Sequence, residues 1–464
     1  MPIRIASTAI GLLGASLFAS AAVAQVPEPS FSNNRADENW SHLRDRANRT
    51  GAAWEAFKFI PLGAGGESYL TLGTDLRLRF ERYADNFDSP KPDETYGWSR
   101  VMPYADLHLG PNLRVFGQML GAWADRSALT EGPVDETGVE LLQGFAEVTA
   151  PLGSSELSIR GGRQMVAYGS ERLIGLRFGP NVPLSFDGAR ARLETGGWIA
   201  DAFAYRPVLN EPGDFDDRFD PARAVFGLYA TRALPEIGDT SGLDLYWIGY
   251  HRDDARFDSG VADERRHTLG TRFFGALDGW SWNHEAMLQL GSFGREKILA
   301  WSVATETRYT FSNVPLRPFV ELKANVISGD GGPGGRLGTF NALFPKGKYF
   351  GEIGLIGPAN LLNLHPVIGV SLDSGWSLTG AAVFYWRQSV DDGVYGNPGN
   401  LIRPSAGSRA RYVGTQGEVV LGWEATQNVT LETSYALFEP GRFLRETGSG
   451  KTVHFVGGEI QFRY

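Results

Sequence analysis

Arginine and carboxylate alternate with leucine along much of this chain, and that spacing is the clearest chemistry in the sequence. Between Tyr69 and Tyr83, Asp75, Arg77, Arg79 and Glu81 fall on one side of an extended strand, and Leu70, Leu72, Leu76, Leu78 and Phe80 on the other. A guanidinium is a permanently charged planar fork that pairs with carboxylates. A row of such forks along a wet surface would bind anions and let them pass. Catalytic signatures are missing from the sequence. The seven histidines are scattered, with no His-Glu-x-x-His and no Gly-x-Ser-x-Gly. A pair such as Asp75 and Glu81 has the residue types of a glycoside hydrolase, but lining a polar face is the simpler role, so no catalytic residue is assigned. Cysteine is absent, which rules out disulfides, thiolate metal sites and a Cys nucleophile.

An element that is greasy on one face and charged on the other needs lipid on one side and water on the other. A closed transmembrane barrel supplies both. The closing stretch has this form: Val456, Gly458, Ile460, Phe462 and Tyr464 oppose Gly457, Glu459, Gln461 and Arg463. Similar segments are read at 69–83, 100–109, 113–123, 140–149, 156–166, 186–195, 198–206, 223–232 and 242–252. They continue at 266–275, 280–290, 298–311, 317–328, 361–372, 376–387, 411–423, 428–438 and 452–464. Joins after even-numbered segments are short, as at Gly110-Pro111-Asn112, Gly196-Gly197 and Asp278-Gly279. Joins after odd-numbered segments are mostly long, as at 167–185 and 329–360. The expected fold is therefore all-β: a single antiparallel transmembrane β-barrel of about 18 strands with short periplasmic turns and long extracellular loops.

Residues 1–24 read as a secretory signal, with Arg4, an apolar run and Ala22-Val23-Ala24 ahead of Gln25. Residues 25–68 read as a periplasmic lead, with Trp40, Leu43, Trp54, Phe57 and Ile60 at the loose spacing of a short helix that reaches the barrel mouth; 69–464 is the barrel. The net charge of −9 becomes −10 once Arg4 leaves with the signal. That balance argues against a nucleic-acid partner, since phosphate binding needs a basic face. Outer-membrane lipid is the expected surrounding, and no cofactor is expected. The acidic stretch Asp214, Asp216, Asp217 and Asp220 lacks the ordered spacing of a calcium loop and reads as solvated.

Several ordered motifs resemble the alginate-export outer-membrane proteins. They include Gly162-Arg163-Gln164, Tyr168-Gly169-Ser170-Glu171-Arg172-Leu173, Arg177-Phe178-Gly179-Pro180-Asn181 and Phe186-Asp187-Gly188. Further on come Arg266 to Gly270, Leu337-Gly338-Thr339-Phe340-Asn341, Phe344-Pro345-Lys346-Gly347, Trp386-Arg387-Gln388-Ser389 and Arg411 to Gln416. The resemblance runs from about Trp40 to Tyr464. It implies an eighteen-stranded barrel through which an anionic polysaccharide, classically alginate, leaves the cell, with periplasmic export proteins as partners. The alternatives are an uptake porin for small organic acids, sugars or aromatic compounds, and a barrel enzyme acting on lipid or polysaccharide.

For a path that passes polyuronate, the candidate lining is Arg77, Arg79, Arg163, Arg172, Arg177, Arg190, Arg192, Arg272, Lys323 and Arg387. Arg77, Arg79, Arg190 and Arg192 sit near mid-strand, and Arg163, Arg172 and Arg177 begin or follow a loop long enough to fold inward; together they are read as a constriction. Strict alternation would aim Arg163 at lipid, at a cost of roughly 2–4 kcal/mol in mid-membrane, so a bulge at Gly161-Gly162 is expected to turn it inward. The loop 329–360, with Asp330, Lys346 and Lys348, is either a gating lid or a surface loop with glycine turns. Acids of the same facing, among them Glu147, Asp201, Asp244, Glu285 and Glu459, nearly balance the arginines. A wall of mutually neutralised charges is the competing reading of the whole set.

Overall fold

A computed structural model describes residues 31–464 except 64, 87–90, 128–131 and 333–334; the expected signal segment lies outside these residues. Eighteen strands close into an antiparallel barrel among the described residues. The first six are β1 (Tyr69–Gly73 continuing as Asp75–Ala84), β2 (Glu94–Val101 and Tyr104–Leu109), β3 (Leu113–Arg126), β4 (Gly138–Leu152), β5 (Ser155–Gln164) and β6 (Phe186–Thr195). Next come β7 (Trp198–Leu209), β8 (Arg223–Ala233), β9 (Gly242–Phe257), β10 (Gly260–Leu277), β11 (Trp280–Phe293) and β12 (Glu296–Thr310). The circuit finishes with β13 (Phe319–Ile327), β14 (Leu361–Ser371), β15 (Trp376–Arg387), β16 (Tyr412–Thr426), β17 (Val429–Pro440) and β18 (Val453–Arg463). β18 pairs with β1, with Phe462 opposite Leu76 and Ile460 opposite Leu78.

Period-two patterning explains the wall. Leu78 is 60% exposed and Ile368 63%, and both lie on the face that meets hydrocarbon. Arg77, Asp75 and Glu81 on the opposite face are buried. Outward aromatic side chains collect near the turn end, where Trp376 stacks on Trp423 with ring centroids 4.8 Å apart and Trp280 meets Tyr309. Such amphipathic rings suit the two membrane interfaces.

Two outer joins differ from expectation. Alternation continues beyond 252 and before 266 in charged residues, so β9 and β10 run on and are joined by residues 258–259 alone. β11 and β12 do the same across 294–295. These four strands form a ribbon that rises past the apolar belt.

The bore is largely filled. Loops 165–185 and 328–360 fold inward and touch at a bridge between Ile174 and Phe344. Phe344 sits edge-on to Phe186 at 5.2 Å and to Tyr250 at 5.7 Å, inside a cluster that includes Tyr83, Tyr168, Phe203 and Phe350. From the turn end, the lead enters the barrel as four short 3₁₀ turns where a single helix was expected. The Asn34 side-chain amide donates to the Met165 carbonyl, and the Gln143 amide donates to the Asn34 side-chain oxygen.

Candidate functional site

Antiparallel pairing places directly opposed residues on one face, and the inward face sets acid against base across neighbouring strands. Asp201 stands opposite Arg192, Arg272 opposite Asp244 and Glu285, Glu147 opposite Arg160, and Arg79 opposite Glu459. The side chains follow the register. Arg192 holds Asp201 through two bonds of 2.7 and 2.9 Å. Arg272 meets Asp244 at 2.8 Å and the Asn283 oxygen at 2.7 Å. Arg190 shares Glu147 with Arg160, at 3.3 and 2.7 Å. Arg79 pairs with Glu459 at 3.1 Å and also with Glu81. Lys323 reaches Glu306 at 3.3 Å.

Arg77 faces the bore as expected, yet its terminal nitrogens are taken. Its two terminal nitrogens donate to the carbonyls of Phe178, Gly179 and Pro180 at 3.0, 3.0 and 2.6 Å, and Arg100 beside it stacks over the Phe178 ring at 4.2 Å. These arginines moor the inward loop. On the far side of the bore Arg172, carried by the same loop, bridges Glu285 at 3.1 Å and Glu306 at 3.5 Å.

Three expectations need correction. No register break occurs between β5 and either neighbour at Gly161-Gly162, and Arg163 stays on the outward face that Ile159 occupies. The charge is met by Asp187, directly opposite on β6, at 2.8 and 3.0 Å, and by the Asp217 carbonyl at 3.3 Å. An ion pair at the outer end of the strands, under the loop 210–222, does what a bulge was expected to do. Arg387 points inward but is wholly buried under the loop 388–411, where it donates to the carbonyls of Ser408, Val390, Asp392 and Ala410. It organises that loop and lines no path. Asp330 is buried too, accepting from the amides of Gly331 and Gly338 of its own loop and donating its amide to Asp392 of the loop 388–411; the loop is exposed at Gly331, Gly335 and Arg336 but buried in the bore from Leu337 to Phe340 and from Ala342 to Pro345. Lys348 is paired with Glu352.

Two cations from the expected set are left without a hydrogen-bond or ion-pair partner for their side chains among the described residues: Arg177 and Lys346. Both are loop-borne and partly exposed. Arg177 holds a left-handed backbone conformation, φ 49°. Burial and the nearby Arg223 guanidinium push its pKa down to about 10, and burial also lowers that of Lys346. Arg223 stands opposite Arg252, another inward cation, across β8 and β9. Arg223 is paired with Asp220, so Arg177 rather than Arg223 is the cation that a ligand carboxylate would neutralise.

The alginate export family profile matches residues 68–459. The chain belongs to the alginate export family. No match was found among curated proteins. Solved porins share the fold. A BenF-like porin from Pseudomonas fluorescens Pf-5 superposes with a TM-score of 0.57 at 9% identity over 85% of this chain and 98% of its own. Pseudomonas aeruginosa OccK2 (OpdF), solved in complex with glucuronate, gives 0.56 at 12% over 88% and 99%. OccK11 (OpdR) of the same organism gives 0.52 at 14% over 87% and 98%. At such identities the likeness is one of fold. Family and fold together make the chain an outer-membrane channel. Sequence reasoning missed Arg100 and Arg160, both buried in the wall. Arg160 was legible: it shares parity with Glu156 and Ser158 against Leu157 and Ile159.

The acidic stretch of the loop 210–222 is brought to Glu140, whose carboxylate accepts from the amides of Asp216 and Asp217. Burial and the Glu140 charge raise the Asp217 carboxyl to about 6.

Proposed function

We propose that this channel passes an anionic polysaccharide of the polyuronate type, or its oligomers, across the outer membrane. One observation carries the reading. In a bore whose wall arginines, Arg252 apart, are matched to carboxylates or carbonyls among the described residues, the inward loops hold out Arg177 and Lys346 unmatched. Such cations bind a carboxylate weakly enough to hand it on, as conduction requires. Membership of the family supports a polymer as cargo, and periplasmic export proteins are the partners that this reading calls for.

The second reading, a passive uptake porin for small organic acids, sugars or aromatic compounds, is favoured by the filling of the bore around Phe344. Flux into liposomes separates the two readings. Uronate oligomers should enter several times faster than neutral oligosaccharides of equal length. Equal flux of both would remove the polyuronate reading and leave the channel.

A further inference from the structure

The ribbon of β9 to β12 carries a charged row on its outward face, where no solute in the bore can reach it. Leu269, Leu288 and Trp301 lie on adjacent strands and face hydrocarbon, at 49%, 39% and 38% exposure. One step farther out the register row is His267, Leu290 and Leu299. The next step reads His251, Arg265, Ser292 and Lys297, and then Arg336 of the short segment Arg336–Leu337, which pairs in parallel with the start of β12. Leu337, the next residue, is fully buried against Ile298, so Arg336 points outward with Lys297.

Adjacent strands lie about 4.8 Å apart, so Arg265, Lys297 and Arg336 span roughly 15 Å along a single row. All three are exposed. Among the described residues none has a hydrogen-bond or ion-pair partner for its side chain. The nearby acids are Asp253, which pairs with His251 at 2.9 Å, Asp263, one step beyond Arg265 on the same face, which accepts from the Asp254 amide, and the buried Asp330, which feels the Arg336 charge but accepts its hydrogen bonds from the Gly331 and Gly338 amides.

Exposed cations that form no ion pair, directly above a hydrocarbon-facing belt and on the long-loop side of the membrane, are complementary to an amphiphile with acyl chains below and phosphate above. We infer that this face is a binding surface for a phosphorylated glycolipid of the outer leaflet, the lipid A type. Leu290 and Leu299 lie along its chains while Arg265, Lys297 and Arg336 hold its phosphates. Guanidinium forks suit phosphate oxygens, and the lysine adds a point charge.

The test uses the full-length barrel in detergent and native mass spectrometry with bisphosphorylated lipid A as the probe. Wild-type protein should retain it at least tenfold more strongly than dephosphorylated lipid A. The triple change Arg265→Ser, Lys297→Ser and Arg336→Ser should abolish that preference, and Arg265→Lys with Arg336→Lys should keep most of it. Inorganic phosphate in large excess should not displace the lipid. Equal retention of the two lipids by the wild-type protein would overturn the proposal whether or not the variant folds. Displacement by inorganic phosphate at equal concentration would also overturn it, and so would an unchanged preference in a folded triple variant.

Discussion

Cations borne on strands and cations borne on inward loops share one bore but are not equally free. On the wall most bases meet an acid fixed opposite them by register, as Arg160 meets Glu147 and Lys323 meets Glu306, while Arg77, set opposite Arg100, meets loop carbonyls instead. In the loops there is no register to supply a partner: Arg172 finds Glu285 and Glu306, whereas Arg177 and Lys346 find none. Alternation therefore tells which way a side chain faces, and cross-strand pairing tells whether it is available.

The comparison can be broken most forcefully at Arg172, the loop cation that is paired like a wall residue. Arg172→Ala takes from Glu285 its ion-pair partner and leaves Glu306 ion-paired with Lys323 alone, and removing one partner of a buried pair costs roughly 3–5 kcal/mol. The loop 165–185 should come loose, read as new protease sensitivity in the folded barrel; an intact loop would mean that this pair holds little. Arg77→Ala should come next. It removes the donors to three loop carbonyls, each charged hydrogen bond being worth about 1.5–3 kcal/mol. Single-channel current should become larger and noisier, and current identical to wild type would show that other contacts suffice to seat the loop.

Arg177→Ala combined with Lys346→Ala should leave folding and conductance nearly intact. It should lower anion-over-cation permeability about fivefold, the equivalent of ~1 kcal/mol. Arg190→Ala with Arg192→Ala should change selectivity far less. If the wall pair has the larger effect on reversal potential, the distinction between held and free cations is wrong. Smallest is a pH effect at Asp392, which accepts from Thr339, from Tyr395 and from the Asp330 and Gly393 amides. Burial raises this carboxyl from 3.8 to about 6, so its contribution to loop stability is complete below pH 3.8 and is lost as pH rises through about 6. Proteolysis of the loop 388–411 should be faster at pH 7.5 than at 5 in the wild type, and insensitive to pH in Asp392→Asn.

The wall was legible because a strand's two faces are written residue by residue. The pattern locates all eighteen strands and puts Leu78, Leu288 and Phe462 outside. It goes astray where the backbone departs from what alternation implies. At Gly161-Gly162 a bulge was expected and the register runs unbroken; beyond 252 strands continue in charged residues that resemble loop. What fills the bore was not legible. No periodicity says that Phe344 turns inward to meet Phe186 or that Arg77 faces carbonyls from a loop about a hundred residues away. Those contacts depend on loop paths, and a loop path is a property of the closed cylinder rather than of any local stretch.

The lead ends where the cylinder is sewn shut. Seventeen of the strand pairings join neighbours in sequence, but β1 and β18 come from opposite ends of the chain, so no hairpin brings them together. Arg35 donates to the Tyr464 carbonyl at 2.8 Å and Arg463 to that of Phe31 at 3.1 Å. Lys58 donates to the Leu72 carbonyl at 3.1 Å, with its ammonium between the rings of Phe31, Trp40, Tyr104 and Tyr464. To unzip that last join, the wall would first have to drag this buckle of cations and aromatic rings out of its own throat.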